Sequence, residues 1–335
     1  MAQTKRELVL AAFNNEPVDR IPVGFWYHFL NNPEHAEGLG HPEVTAANIA
    51  GLKAFYEGFQ PDFVKIMSDG YFAYPNEALH EIRSVKDVAK LQPVGENAPW
   101  IEEQVQLVKQ ATAIFGKDVL SFYNVFAAPR YLEFMYRGKD GDANGNFIKL
   151  LQEDKAGLKH ILDVMSEDLA SLAKRVIRDG GADGIYLSVQ NLPRPEVTRE
   201  VYDEIIAPAE KKILAAANAA SKNNILHICG YAGTRNDLSW YQDYEANVIN
   251  YAANVEEVKL SAGKKLFGGK AVIGGFDNTL QGELYSGTKE EIERRVEEII
   301  ADVGKTGVVI GADCTVPGDI EWQRLEWVRE KAAQL

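Results

Sequence analysis

The chain has 335 residues, 46% hydrophobic and 25% charged, enough to bury a large core without disulfide or metal staples. Acidic side chains outnumber basic ones, 49 to 36, and the net charge of −13 repels nucleic acid and anionic membrane, so neither is expected as a partner. No run of about 18 uncharged apolar residues offers a membrane span, the first residues lack an apolar signal core, and two cysteines, Cys229 and Cys314, cannot make a disulfide scaffold, so a reducing cytoplasm is the expected location.

Along the chain, Thr4 and Glu7 have the spacing of a capping box, and Pro17 is expected to help stop the helix they open. Short β-branched or apolar runs then alternate with longer helical patterns. The strand-like runs are Ile21–Phe25, Phe63–Met67, Val119–Val125, Gly184–Val189, Asn224–Cys229, Asn247–Asn250, Ala271–Gly275 and Gly307–Gly311. Helical periodicity covers Pro42–Tyr56, Trp100–Phe115, Lys155–Asp179, Thr198–Ala220 (with a kink expected at Pro208) and Thr288–Val303, where Thr288 and Glu291 repeat the box and Gly304 closes the helix. Eight strand–helix units joined by right-handed crossovers predict an α/β fold, a (β/α)8 TIM barrel with extra N-terminal helices and a single domain over 1–335. The competing doubly wound sheet usually has a glycine fingerprint after its first strand; here that place reads Trp26-Tyr27-His28-Phe29-Leu30.

Barrel chemistry lies at the carboxyl ends of the strands. Those positions hold His28, Asp69, Asn124, Gln190, Asn191, His227 with Cys229, Asn250, Asp277, and Asp313 with Cys314. Asn and Asp are common in turns and caps for purely structural reasons. His227 and Cys229 are two apart, so on an extended strand both face one side, and barrel closure would bring Cys314 to the same rim. A His, Cys, Cys set with an open fourth place suits catalytic Zn2+. Buried free thiols and a nucleophilic cysteine remain alternatives. Asp69 is a candidate general base or substrate anchor. Asp313 is a candidate fourth ligand or the partner that orients His227. The aromatic cluster from Phe25 to Phe29, with Tyr71, Phe72 and Tyr74, could wall a pocket for a flat ligand or belong to the core.

Five segments, residues 6–23, Gly-Gly-Ala-Asp-Gly-Ile (180–185), Leu-His-Ile-Cys-Gly (226–230), Gly-Gly-Phe-Asp-Asn (274–278) and Ile-Gly-Ala-Asp-Cys-Thr-Val-Pro (310–317), give the chain a resemblance to the uroporphyrinogen decarboxylase superfamily along almost its full length. The resemblance implies a (β/α)8 barrel, often a homodimer, and one of two chemistries. One branch decarboxylates the acetate arms of uroporphyrinogen without a cofactor, in porphyrin biosynthesis. It carries an Arg-Gln-Ala-Gly-Arg-Tyr stretch whose arginines hold substrate carboxylates; here that stretch reads Tyr27-His28-Phe29-Leu30-Asn31-Asn32. Its aspartate is matched by Asp69, but its late Gly-His-Gly is replaced by Ala312-Asp313-Cys314.

The other branch contains cobamide-dependent methyltransferases, whose His-x-Cys motif and distant Cys hold zinc, matched by His227, Cys229 and Cys314. The expected function is therefore zinc-dependent movement of a methyl group between a small substrate (thiol, folate, amine or aryl ether) and a corrinoid (cobalamin) on a partner corrinoid protein. Asp69, Asp313 and His28 are the expected catalytic or positioning residues, and Asn191, Asp277 and Tyr27 the expected substrate contacts. The decarboxylase alternative requires at least two inward arginines at the mouth, for which Arg130 and Arg194 are the candidates. A corrinoid-binding scaffold without turnover and a zinc-dependent hydrolase are two further alternatives.

Overall fold

A computed structural model describes residues 2–81, 88–136, 143–191 and 194–335. Seven parallel strands run in chain order around one sheet: β1 (Phe63–Ile66), β2 (Leu120–Phe126), β3 (Gly184–Val189), β4 (Ile225–Ile228), β5 (Val248–Tyr251), β6 (Ala271–Phe276) and β7 (Val308–Ala312). All are buried except for the partly exposed Phe126 at the end of β2, as strands covered on both faces must be.

The first expected strand, Ile21–Phe25, is an extended segment that closes the ring. Val23 bridges Ile310 of β7 in parallel, with Gly24 N–H donating to Ile310 O at 3.0 Å and Ile310 N–H to Pro22 O at 2.9 Å. On its other edge Asp62 N–H donates to Val23 O at 3.0 Å, just before β1. Pro22 offers no N–H, so this segment cannot carry a full ladder. A side chain in place of its hydrogen at Gly24 would collide with the Phe63 ring. The buried Asp62 carboxylate locks the closure, accepting from Val23 N–H at 2.8 Å and from both terminal nitrogens of Arg20, at 2.7 and 2.5 Å.

Inside the ring, side chains from the strand starts, among them Phe63, Leu120, Phe122, Ile225, Val248 and Ala271, pack on Val9, Ala12 and Phe13 of α1 (Lys5–Phe13), which plugs the amino-terminal end. A separate apolar layer lies between the barrel and the outer helices, including α2 (Pro42–Phe59), α3 (Pro99–Phe115), α4 (Lys155–Arg178), α5 (Ala207–Asn218), α6 (Lys289–Val303) and α7 (Trp322–Gln334). The plug leaves only the carboxyl end of the barrel open to chemistry.

Both capping boxes form, at Thr4/Glu7 and at Thr288/Glu291, and Gly304 ends α6 with φ +80°. Pro17 is not the stop expected of it: α1 ends at Phe13, and Asn15, with φ +57°, turns the chain before the proline is reached. Pro208 stands at the head of α5, directly after a π-helical turn over Tyr202–Ile206, so the expected kink takes the form of a widened turn. No described helix is long and apolar enough to cross a membrane.

Asp62→Ala should cost about 3 kcal/mol or more of unfolding free energy, since it strips Arg20 and the Val23 amide of their buried partner together. Urea unfolding against wild type measures it; a loss under about 1 kcal/mol would show that the closure does not depend on this carboxylate.

Candidate metal centre

On β4 the pleat turns Leu226 and Ile228 outward and His227 inward, and a bond from Cys229 N–H to Val189 O at 2.9 Å continues the extended path by one residue. His227 and Cys229 therefore face the same interior. Cys314 arrives from the turn after β7, where Asp313 N–H donates to Phe276 O at 2.9 Å. The Cys314 Sγ lies 3.8 Å from Cys229 Sγ and 3.5 Å from His227 Nε2, and one donor atom from each of the three residues lies within 4.8 Å of the others. Two soft sulfurs and one imidazole nitrogen converge where barrel closure was expected to bring them.

The imidazole is oriented by Asn250 of β5, which pairs in register with His227. The Asn250 amide nitrogen donates to Ile273 O at 2.9 Å and Ala312 O at 3.3 Å, so its oxygen must face the other way. That oxygen accepts from Tyr186 Oη at 2.8 Å and from His227 Nδ1. With the proton on Nδ1, the lone pair of Nε2 is directed at the thiols, as a metal ligand requires. Asn250, and not Asp313, is thus the partner that orients His227. The Asp313 carboxylate instead accepts from Asn254 N–H at 2.8 Å and lies outside the three-residue set; burial pushes its pKa up to about 7.

The thiols divide one proton unequally. A hydrogen bond from Cys229 holds the Cys314 thiol well below its usual range against the opposing effect of burial, and the charge of Lys65 acts in the same direction as that bond. The same hydrogen bond, with burial, pushes Cys229 up.

Asp69 and His28 meet in a second cluster. His28 Nδ1 lies 2.7 Å from Asp69 Oδ1, and Phe29 N–H donates to Asp69 Oδ2 at 2.9 Å. His35 stands 3.9 Å from the same carboxylate, but its Nε2 is bonded to Leu30 O at 3.0 Å. Its pKa is lowered, chiefly by burial. Among the described residues His28 Nε2 has no partner, and its half-buried ring packs on Phe72. Phe72 in turn stacks on Phe134, with ring planes 11° apart, so the aromatic wall is built from Phe72, Phe126 and Phe134.

Tyr27 is no part of that wall. The alternation of the extended segment sends Trp26 into the barrel and Tyr27 into the outer layer, where it packs on Phe55 and accepts from Trp322 Nε1 at 3.0 Å. Asp277 accepts from Thr279 N–H at 2.8 Å and caps its own turn. Asn191 is buried, its N–H bonded to Asn236 and its side-chain oxygen without a partner among the described residues. Of the two arginines considered for substrate carboxylates, Arg130 is engaged by Glu133 and by Gln190 at 2.8 Å, and Arg194 is likewise partnered.

The whole architecture is similar to that of solved proteins. A methyltransferase from Methanosarcina mazei superposes with a TM-score of 0.68 at 16% identity, over 99% of this chain and 98% of that one. A putative vitamin-B12-independent methionine synthase from Listeria monocytogenes (TM-score 0.51, 13% identity, 95% and 99% coverage) and a B12-independent methionine synthase from Shewanella sp. W3-18-1 (0.53, 13%, 94% and 97%) share the fold. At these identities the likeness is one of fold. No match was found among curated proteins. The uroporphyrinogen decarboxylase (URO-D) family model matches residues 73–335, and the chain belongs to that family.

Proposed function

We propose that this protein is a zinc-dependent methyltransferase that moves a methyl group between a small substrate and a corrinoid carried by a partner protein. The observation that carries the reading is the convergence of His227, Cys229 and Cys314, with the Nε2 lone pair already directed at the thiols. Cys2His sets of this kind are zinc sites, and the three residues leave a fourth place for substrate. Zinc held there would supply a Lewis acid that keeps a thiol acceptor ionised near neutral pH or polarises another methyl carrier.

The chain's own residues have distinct tasks. Cys314 gives up its proton readily, Cys229 completes the soft pair, and Asn250 fixes the imidazole tautomer. At the mouth His28 exchanges a proton with substrate through Nε2, its ring held by Asp69. The names of the Methanosarcina and methionine synthase neighbours support methyl transfer as the reaction class, and the corrinoid follows from the sequence resemblance. Decarboxylation of a polyanion is disfavoured by the engagement of Arg130 with Glu133 and by the absence of arginine from residues 27–32.

Purified protein should contain about one zinc per chain, and Cys314→Ala should lose most of it. Elemental analysis with a methyl-transfer assay from free methylcobalamin to a panel of thiols tests both parts; normally folded protein with no affinity for zinc would sink the proposal. Asn250→Ala should weaken zinc binding by about 10–100-fold with the fold intact, read by competition with a chromogenic chelator. Unchanged affinity would mean that the amide does not set the tautomer.

A further inference from the structure

Lys65 lies in the middle of β1, between Val64 and Ile66, and points into the barrel with only 5% of its surface exposed. Its ammonium stands 4.2 Å from the ring centre of Tyr186 and 5.1 Å from that of Trp26. Among the described residues no carboxylate lies within ion-pair distance of it. Burial lowers its pKa to about 8, against the raising effects of Cys314, Cys229 and Asp69. Tyr186 links it to the metal centre: Lys65 sits over one part of that ring, the His227 ring lies 5.6 Å away, and the phenol donates to Asn250.

A buried ammonium held, among the described residues, by two aromatic faces is costly, and aromatic contact offsets part of the lost hydration. Methionine or leucine would fill the same interior position at no such cost. The position makes physical sense if the barrel interior around it carries negative charge. A doubly charged cation bound by two thiolates and a neutral imidazole has no net charge, and a fourth ligand that is itself a thiolate makes the assembly anionic.

We propose that Lys65 is the internal counter-cation of the metal centre, a positioning residue that selects an anionic sulfur ligand over a neutral one at the open fourth place. When a thiol binds, its S–H bond breaks, the proton leaves to solvent and the electron pair stays on sulfur, where the fixed charge of Lys65 stabilises it. The inference rests on the proposed metal site and narrows its substrate class to thiols bound as thiolates.

The test loads wild type, Lys65→Met and Lys65→Gln with cobalt(II), whose visible and near-ultraviolet bands report ligand exchange. Each protein is titrated with 2-mercaptoethanol and, separately, with imidazole as a neutral ligand. Both variants should hold cobalt and bind imidazole as wild type does, while thiol affinity at pH 7 falls about tenfold or more. The pH at which thiol binds half-maximally should rise by about one unit. A purely packing role would not separate thiol from imidazole. Equal thiol affinity in wild type and variants overturns the inference alone, as does loss of cobalt by both variants, which would make Lys65 a structural support. Failure of wild type to bind either cobalt or zinc overturns the proposed function and this inference with it.

Discussion

The side-chain amide of Asn250 joins the fold to the site. It sits on β5, donates to carbonyls of β6 and β7, and accepts from Tyr186 of β3 and His227 of β4. Five strands meet at one planar group with its donors on one side and its acceptor on the other. Such a group cannot rotate without breaking several buried hydrogen bonds at once, each in a low-dielectric interior where an unpaired partner is expensive. The imidazole inherits that rigidity, so the direction of its free lone pair is a property of barrel closure. The closure rests in turn on Asp62 and on the short segment that bridges β7 to β1.

Much of this was legible in the amino-acid order. The alternation of apolar runs and helical stretches gave the barrel, and the spacing of His227 and Cys229 put both on one face because strand geometry has a period of two. Cys314 was assignable because a ring, unlike an open sheet, brings distant strands to one rim. Orientation was less legible. Tyr27 and Trp26 are neighbours of similar character, and which of them faces the interior depends on the pleat of a segment with a single bridge. Asp313 was the natural candidate to orient His227 because it adjoins Cys314, yet a helix-start amide at Asn254 captures its carboxylate. Asn250 looked like any strand-exit asparagine. Lys65 did carry a signal, a lone cation within Phe-Val-Lys-Ile-Met, which a run buried on both faces should not contain.

Membership in the URO-D family and the make-up of this mouth point to different demands on one scaffold. Holding several carboxylates away from water requires free guanidinium groups. Here Arg130 is engaged by Glu133, and the residues that follow the closing segment, Trp26 to Asn32, include no arginine. The scaffold supplies a plugged floor, a rigid ring and an open rim, and those are compatible with either chemistry. The donors on this rim are two sulfurs and an imidazole nitrogen, which suit the proposed metal chemistry better than the holding of carboxylates.

The charges inside the barrel are also graded with depth. Lys65 lies within the ring on β1, the two thiols sit at the exits of β4 and β7, and the Asp69–His28 pair occupies the exit of β1 and of the closing segment. Two thiols are a poor resting place for full negative charge in an apolar interior, which is why one of them is pushed up and the other down. A divalent cation would let both ionise, and under the inference above Lys65, within the same ring, would stabilise any further anion that joins. The half-buried imidazole of His28 stands apart from this set, with one nitrogen tied to Asp69, so the proton exchange proposed for it would not involve the thiols.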